Sequence, residues 1–493
     1  MEDQLRGEIR ELQEAVDRLS ANPKADSEAK QKAAATSDVS TGSVEDTLLL
    51  QQDVVARGLV TESEWNDLYS LFVQAFLPSL VIRINDCSYQ TKCREVIALV
   101  DDQIYPPASV IRRHPLLSTT ICVIAGRSLI PGRYRSFVDE GDALICKTFQ
   151  GVDMDLLGFY AIMLLTAWTG RARLWGYAAS LAYDMQLHLS ALQFRDEAAE
   201  STESVVERAR AWFTLCGFDL IINLNRPYAI NKMQEYLPHA KKLLASPYCR
   251  PVDHRICAYI EGFIITGDAK ARLQSAHLQA TPLPDFVSKL LTSYDQQVNA
   301  WFHRINNTID PLFQTFEATQ DRNRFMVPYA LVKLYVNGLA LHGVELIKGD
   351  VDPVRLSFVK TALASACLLL QTQWESRSFR RAFRYTIDYN GITTFHASRF
   401  LLKVMHILPD QMDESSYVAL NQASKLFELA GAMDVAEELR RETEKFTTVV
   451  SPLEPSPETA ADSQPDTLFD IPNLPDRTTW DTEFPMINTY TLE

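Results

Sequence analysis

The chain has few cysteines for its length, and none of them lie close together in sequence. Eight cysteines are scattered over 493 residues without a C-x-x-C pair, so the sequence predicts neither a zinc site nor a disulfide framework. We expect reduced thiols that are buried as small hydrophobic groups. The H-E-x-x-H motif, the Walker loop, the dinucleotide-binding glycine fingerprint and the G-x-S-x-G elbow are also absent, which argues against the enzymes that use them.

The sequence also lacks an excess of basic charge and a long apolar run. A net charge of −15 argues against nonspecific coating of nucleic acid, because such binding needs a basic surface. The apolar segment from Leu156 to Trp168 has thirteen residues, fewer than the ~20 that span a bilayer, and therefore predicts a buried core helix. Charged residues follow Met1 where a secretory signal would be apolar, so we expect an intracellular protein.

The paired carboxylates of the chain do not match a magnesium motif. Terpene cyclases hold magnesium through Asp-Asp-x-x-Asp, but Asp101-Asp102-Gln103-Ile104-Tyr105 has no carboxylate at its last position. The segment Asn85-Asp86-Cys87-Ser88 lacks the serine and glutamate spacing of the second metal site in those enzymes. We therefore expect no enzyme, no metal and no cofactor.

The N-terminal residues have the spacing of a short coiled coil. Apolar residues separated alternately by four and three positions predict a parallel two-stranded coiled coil over residues 1–20. They are Leu5, Ile9, Leu12, Val16 and Leu19. A helix packed on the protein's own core is the alternative interpretation, since so short a seam is marginal by itself. Residues 21–47, rich in Ala, Ser, Thr, Lys and Asp, predict a flexible linker.

Helical periodicity dominates from residue 48 to residue 445. The segment Thr61-Glu62-Ser63-Glu64 has a capping-box pattern that predicts the start of a helix. Apolar residues follow on one side of that helix: Trp65, Leu68, Leu71, Phe72 and Phe76. Alternating β-branched runs are scarce and no linker-like break divides the segment. We therefore predict an all-α fold with one large multi-helix domain over residues 48–445.

The last segment, residues 446–493, is acidic and rich in proline. It contains seven prolines, nine acidic residues and a single base, Arg477, a composition typical of disorder. Apolar and aromatic residues lie next to its carboxylates at Leu468, Phe469, Trp480 and Phe484. This is the composition of an acidic activation domain, which the groove of a coactivator binds. The alternative interpretation is a tail whose aromatic residues dock back on the helical domain.

The most informative pattern lies between residues 175 and 227. A helix with Trp175 leads to Gln186-Leu187-His188, and a second helix ends at Asn225-Arg226-Pro227. The second helix contains Arg208, Arg210, Trp212, Phe213 and Asp219. In order and spacing this pattern resembles the regulatory (middle homology) domain of fungal zinc-cluster transcription factors, here without the zinc cluster. Those factors have glycine where this chain has Gln186 and Asn225, and a second tryptophan where it has Phe213.

Helical geometry gives the same residues structural roles. Two apolar stripes predict that the two helices are amphipathic and pack together. They consist of Leu174, Ala178, Leu181, Met185 and Leu189, and of Ala209, Trp212, Cys216, Leu220 and Leu224. Asp219 is too far along the helix from Arg226 for a local pair, so each is expected to meet a partner elsewhere. Pro227 stops the helix, and we expect Arg226 to bond free carbonyls or a carboxylate, with effector binding as the alternative.

Four arginines fall on one face of a further predicted helix. They are Arg377, Arg380, Arg381 and Arg384. Such a face can bind phosphates or pair with carboxylates. We favour pairing with carboxylates, because the chain as a whole is acidic.

The resemblance implies a nuclear regulator of transcription, often of one metabolic pathway or secondary-metabolite gene cluster. Because no zinc cluster precedes the coiled coil, we expect a coactivator or modulator that reaches promoter DNA through a DNA-binding partner, as a homo- or heterodimer. The tail would bind a coactivator, and no membrane is involved. Three alternatives stay open: an incomplete chain of a zinc-cluster activator, an inhibitor that titrates a full-length relative, and a helical small-molecule sensor or enzyme.

Overall fold

The computed structural model shows an all-α protein. It describes residues 53–76, 108–149, 154–169, 172–194, 202–224, 230, 233–273, 275–308, 325–344, 351–376, 379–380, 383 and 389–450. Within this part of the chain 85% of the residues are helical and no strand occurs. The predicted all-α fold class is therefore confirmed.

The first group of described helices precedes residue 223. These helices are α1 (Glu62–Phe76), α2 (Ala108–Arg113), α3 (Pro115–Leu129), α4 (Tyr134–Thr148), α5 (Leu156–Thr169), α6 (Ala172–Asp184), α7 (Leu187–Gln193) and α8 (Glu203–Ile222). Side chains cap several of them; His114 Nδ1, for example, accepts a backbone hydrogen bond in α3, and Thr202 Oγ1 accepts one in α8. Such caps satisfy N–H groups that have no partner within the helix.

The second group of described helices follows residue 250. These helices are α9 (Pro251–Arg272), α10 (Ser275–Gln279), α11 (Asp285–Thr308), α12 (Met326–Gly338), α13 (Pro353–Glu375), α14 (Tyr389–Ile407), α15 (Glu414–Leu429) and α16 (Met433–Val450). α9 and α13 begin with proline, whose fixed φ and missing N–H suit the first position of a helix. A 3₁₀ helix, Leu237–Ala245, lies between the two groups.

Helices that are close in sequence are also neighbours in space. α3 packs on α1, α4 and α5, and α8 packs on α5, α7 and α9. α13 contacts α12, α14 and α15, while α16 packs mainly on α15. Short connections between packed neighbours are the usual arrangement in helical domains.

One long-range contact joins an early helix to a late one. Arg127, in the last turn of α3, donates from Nη2 to the carbonyl oxygen of Ala430 at 3.4 Å. Ala430 follows the last residue of α15, where backbone carbonyls lack helical partners and a cation is favourable. All described residues belong to one compact unit that begins at Asp53.

The capping box predicted at the start of α1 is present. Thr61 Oγ1 accepts from the backbone N–H of Glu64 at 3.2 Å, and Glu64 Oε2 accepts from the backbone N–H of Thr61 at 2.7 Å. Trp65, Leu68 and Phe72 expose at most 3% of their surface. These three residues of the predicted apolar side therefore face the core, whereas Leu71 is only partly buried.

α5 is a buried core helix, as its apolar run predicts. Every residue from Phe159 to Leu165 exposes at most 4% of its surface, and Thr166 donates its hydroxyl to the carbonyl of Ile162 at 2.8 Å. Of the described helices, only α13 has the length and apolar composition of a membrane span. Half of its apolar window is buried against other helices, and central core helices have the same composition.

The cysteines follow the expectation of burial only in part. The described cysteines are all free thiols, and Cys122, Cys216 and Cys257 are buried. Burial raises the pKa of Cys122 to about 12, so this thiol stays neutral. Cys146 is exposed, which corrects the expectation for that residue.

The two ends of the chain lie outside the described residues. This applies to the predicted coiled-coil residues Leu5, Ile9, Leu12, Val16 and Leu19 and to the predicted activation residues Leu468, Phe469, Trp480 and Phe484. The coiled coil, the linker and the activation domain stay predictions. α16 continues to Val450, five residues beyond the predicted end of the helical domain at Lys445.

Gly262 of α9 provides a test of the packing between α9 and α11. A Cβ atom on Gly262 would lie 2.6 Å from Cζ2 of Trp301, whose Nε1 donates to the Ala258 carbonyl at 3.0 Å. We expect Gly262→Ala to lower the free energy of unfolding by about 1–3 kcal/mol, measured by urea denaturation. The control is Gly176→Ala on the exposed face of α6, where a Cβ has no neighbour within 4 Å; it should raise that free energy by about 0.5–1 kcal/mol. Equal destabilisation by both would contradict the proposed contact.

Candidate functional site

The residues of the family-like pattern surround α8. The residues of α8 from Ala209 to Ile221 are buried on every side, so the prediction of an amphipathic helix is wrong. Arg210 and Asp219, the two charged residues of this stretch, expose 1% and 0% of their surface. Charged groups are tolerated at such depth only when they are paired and hydrogen-bonded, so their partners define the site.

The carboxylate of Asp219 joins three segments of the chain. Its Oδ1 accepts from Trp175 Nε1 at 2.7 Å and from Asn223 Nδ2 at 2.6 Å. Its Oδ2 accepts from the backbone N–H of Ile230 at 3.1 Å. Asp219 therefore holds α6, the end of α8 and the chain beyond the predicted Arg-Pro turn in one place.

Lys270 of α9 adds a second contact at the end of α8. Its Nζ donates to the carbonyl oxygen of Asn223 at 3.1 Å, one of the carbonyls that a helix end leaves without a helical partner. Burial lowers the pKa of Lys270, and the nearby charge of Asp219 opposes that shift. Lys270 thus links α9 to the same place that Asp219 organises.

Arg210 and Asp253 form a buried ion pair between α8 and α9. Arg210 Nε donates to Oδ1 at 2.6 Å and Nη2 donates to Oδ2 at 3.0 Å. Nη2 also donates to the carbonyl of Tyr248 at 2.9 Å, and Asp253 Oδ2 accepts from the backbone N–H of Arg250 at 2.8 Å. The two-pronged geometry and the additional hydrogen bonds offset the cost of removing both charges from water.

Arg208 connects α8 to the turn between α6 and α7. Its Nη2 donates to the carbonyl of Met185, which follows the end of α6. The next residue, Gln186, has φ 55° and ψ 31°, in the left-handed region that favours glycine. The resembled family has glycine at this position, and the turn keeps its left-handed conformation here although the side chain is glutamine.

His188 and Trp212 belong to a cluster of four aromatic rings. The ring centroids of Tyr183, His188 and Trp212 lie 5.0–5.6 Å apart, and Tyr236 lies 5.2 Å from Trp212. These separations are those of directly contacting rings. Burial lowers the pKa of His188 and, together with the charge of Glu235, raises the pKa of Tyr236, so both rings favour their neutral forms.

Two nitrogen atoms of this cluster have no hydrogen-bond partner within the described chain. They are Trp212 Nε1 and His188 Nδ1. The surrounding rings present π faces, which are weak acceptors for N–H groups. Tyr183, His188 and Tyr236 each contact Trp212, so the cluster packs around a buried core residue.

The structure brings six of the eight predicted pattern residues to one region. Trp175, His188, Arg208, Arg210, Trp212 and Asp219 lie on α6, α7 and α8. Arg226 and Pro227 lie outside the described residues, so the helix stop and the role of Arg226 stay predictions. Leu189 of the predicted α6 stripe is 44% exposed; this part of the prediction is wrong because the chain turns at Gln186 and α6 ends.

Four residues that complete the region were not predicted. They are Tyr183, Asn223, Tyr236 and Asp253. Asp253 follows Pro251 at the start of α9, a pattern that could have indicated a helix N-terminus. Its partner Arg210 is far away in sequence, and no local signal relates the two residues.

The region offers little chemistry beyond packing and ion pairing. Cys249 Sγ lies 3.9 Å from His254 Nε2, but burial raises the pKa of the Cys249 thiol and so disfavours the thiolate that a nucleophile needs. The nearby carboxylate of Asp253 is bound to Arg210. Among the described residues, no group of three or more His, Cys, Asp and Glu side chains could hold a metal ion.

Only one of the four arginines of the predicted basic face is described. Arg380 donates from Nη1 to the carbonyl of Trp374 and lies over its ring, with 5.5 Å from Cζ to the ring centroid. It forms no ion pair with a carboxylate of the described chain, so its pairing with a carboxylate stays a prediction. Arg377, Arg381 and Arg384 lie outside the described residues.

No protein-family model, curated protein or solved structure matches the chain. The resemblance to the fungal regulatory domain is therefore carried by the pattern residues alone. The observations that bear on function are the geometry of these residues and the composition of the two ends of the chain.

The ion pair between α8 and α9 yields a quantitative prediction. Arg210→Met leaves the Asp253 carboxylate buried without its counterion, and we expect it to lower the free energy of unfolding by about 3–5 kcal/mol. The double variant Arg210→Met/Asp253→Leu removes both charges and should cost clearly less than the sum of the single variants. Urea denaturation followed by circular dichroism measures each value; additive costs would show that the two residues are not coupled.

The left-handed residue between α6 and α7 yields a second prediction. Glycine adopts this conformation without steric cost, so Gln186→Gly should raise the free energy of unfolding by about 0.5–1 kcal/mol after the entropy of glycine in the unfolded chain is subtracted. Gln193→Gly, at the end of α7, is the matched control and should lower it, because that position is helical. The observation of destabilisation by both substitutions in urea denaturation would exclude strain at Gln186.

Proposed function

We propose that the protein is a regulator of transcription, built on a helical regulatory domain of the kind found in fungal zinc-cluster factors. It acts in the nucleus as a coactivator or modulator for a metabolic or secondary-metabolite gene cluster. Promoter DNA is reached through a DNA-binding partner, and the acidic C-terminal segment recruits a coactivator.

The observation that carries the proposal is the convergence of the pattern residues. Six residues chosen from sequence alone lie on three consecutive helices around α8. Trp175 bonds Asp219, and Arg208 bonds the turn that contains Gln186. Residues that bond each other in the core are expected to be found together in related sequences. A family pattern consists of such residues.

The charge distribution supports an indirect contact with DNA. The chain has a net charge of −15, and recognition of DNA by a whole protein surface requires a basic one. A partner that reads DNA, bound through the predicted coiled coil, supplies the missing contact.

A tethered reporter tests the activation part of the proposal. The full chain is fused to a heterologous DNA-binding domain, and the combined variant Leu468→Ala/Phe469→Ala/Trp480→Ala/Phe484→Ala is compared with the native sequence. We expect reporter activity to fall at least about fivefold, because the apolar side chains bind the coactivator groove while the carboxylates remain.

Tyr490→Ala is the matched control for that experiment. Tyr490 lies in the same segment but has no acidic neighbour in sequence, so its removal should leave reporter activity unchanged within twofold. Full activity of the fourfold variant, at equal protein level, would refute an activation role for residues 446–493.

A further inference from the structure

Trp374, near the end of α13, is approached by two cations. Arg380 Cζ lies 5.5 Å and Lys425 Nζ, on α15, lies 5.7 Å from the centroid of its ring. The ring is partly buried and packs against the buried residues Phe383, Leu426 and Ala430. We call Trp374, Arg380 and Lys425 the Trp374 patch.

The positive charge of the Trp374 patch is not neutralised within the described chain. Glu375 accepts instead from the amide of Gln371 at 2.7 Å, and Glu428 pairs with Arg440 at 3.3 Å. Since one ring holds both cations, they lie at most about 11 Å apart. A cation without a neutralising partner attracts a carboxylate, so an acidic segment that reaches either cation is favoured.

We propose that the Trp374 patch binds the acidic C-terminal segment of the same chain, residues 451–493. This segment lies outside the described residues, and its sequence contains nine carboxylates and one base. It follows α16, which packs on α15, the helix that carries Lys425. Attachment to the same chain gives the segment a high effective concentration at the patch, and an extended chain, at ~3.3 Å per residue, is long enough to reach it.

A nucleic acid fits the Trp374 patch less well. Single-stranded nucleic acids bind by stacking bases on free aromatic faces, whereas two cations already lie over the ring of Trp374. An acidic peptide needs only the unneutralised charge and the apolar margin of the patch.

Carbodiimide cross-linking of the full chain tests the proposal. The reagent joins an ammonium group to a carboxylate only when the two are in contact, and mass spectrometry identifies the pairs. We expect Lys425 to be joined to carboxylates between Glu454 and Glu493 at least about fivefold more often than Lys360, and this excess to disappear near 0.5 M salt because the contact is electrostatic. Lys360 is the control because it is also exposed, on α13.

Two further arms make the outcome decisive. Mixing of isotope-labelled and unlabelled chains shows whether a cross-link joins two copies; links between copies would overturn the proposal.

Arg380→Gln removes one cation and should reduce the Lys425 links to the tail, with circular dichroism as the check on folding. Cross-links of Lys425 to Glu428 or Glu375 alone would also overturn the proposal. The same holds if Lys425 is joined to tail carboxylates no more often than Lys360. The readout is independent of transcription, so failure here and failure of the reporter test are distinguishable.

Discussion

The buried charges of α8 are the constraint on which the centre of this domain depends. An arginine and an aspartate without water around them are stable only if fixed partners satisfy them. Arg210 has its partner on α9, in Asp253, and Asp219 has its partners on α6 and in the chain after α8. Because each charge requires groups from separate segments, the positions of α6, α8 and α9 cannot vary independently. Apolar packing brings these helices together, and the buried charges specify which faces meet.

The turn between α6 and α7 follows from the same constraint. Arg208 binds the carbonyl of Met185, which fixes the end of α6, and the chain then needs a left-handed residue to start α7 in a new direction. Gln186 takes that conformation at a steric cost that glycine would not have. The cost is tolerated because the turn places His188 against Trp212, with 5.6 Å between ring centroids. Local strain at one residue is thus offset by packing at its neighbours.

Much of the fold could be predicted from local sequence signals. The capping box at Thr61 and the apolar run of α5 each depend on residues adjacent in sequence, and both predictions are confirmed. The central helix was predicted wrongly, because a charged residue in a helix has the same sequence signature whether it faces water or a buried partner. Arg210 and Asp219 are residues of this kind. Only the tertiary contacts, with Asp253 and Trp175, distinguish the two cases, and both partners are more than forty residues away.

The burial of the pattern residues also limits what the family-like pattern indicates about function. Each described pattern residue bonds or packs against another part of the core, so a substitution there acts first on the position of helices. Such residues identify a fold, while function depends on surfaces and segments that can differ between proteins with the same core. In this chain the candidates of that kind are the predicted coiled coil, the acidic segment and the Trp374 patch. The patch differs from the core ion pairs in one physical respect: its cations have no carboxylate partner in the described chain. A charge that the described core leaves unneutralised is available for binding. We therefore expect binding at the Trp374 patch and not at the buried pattern residues.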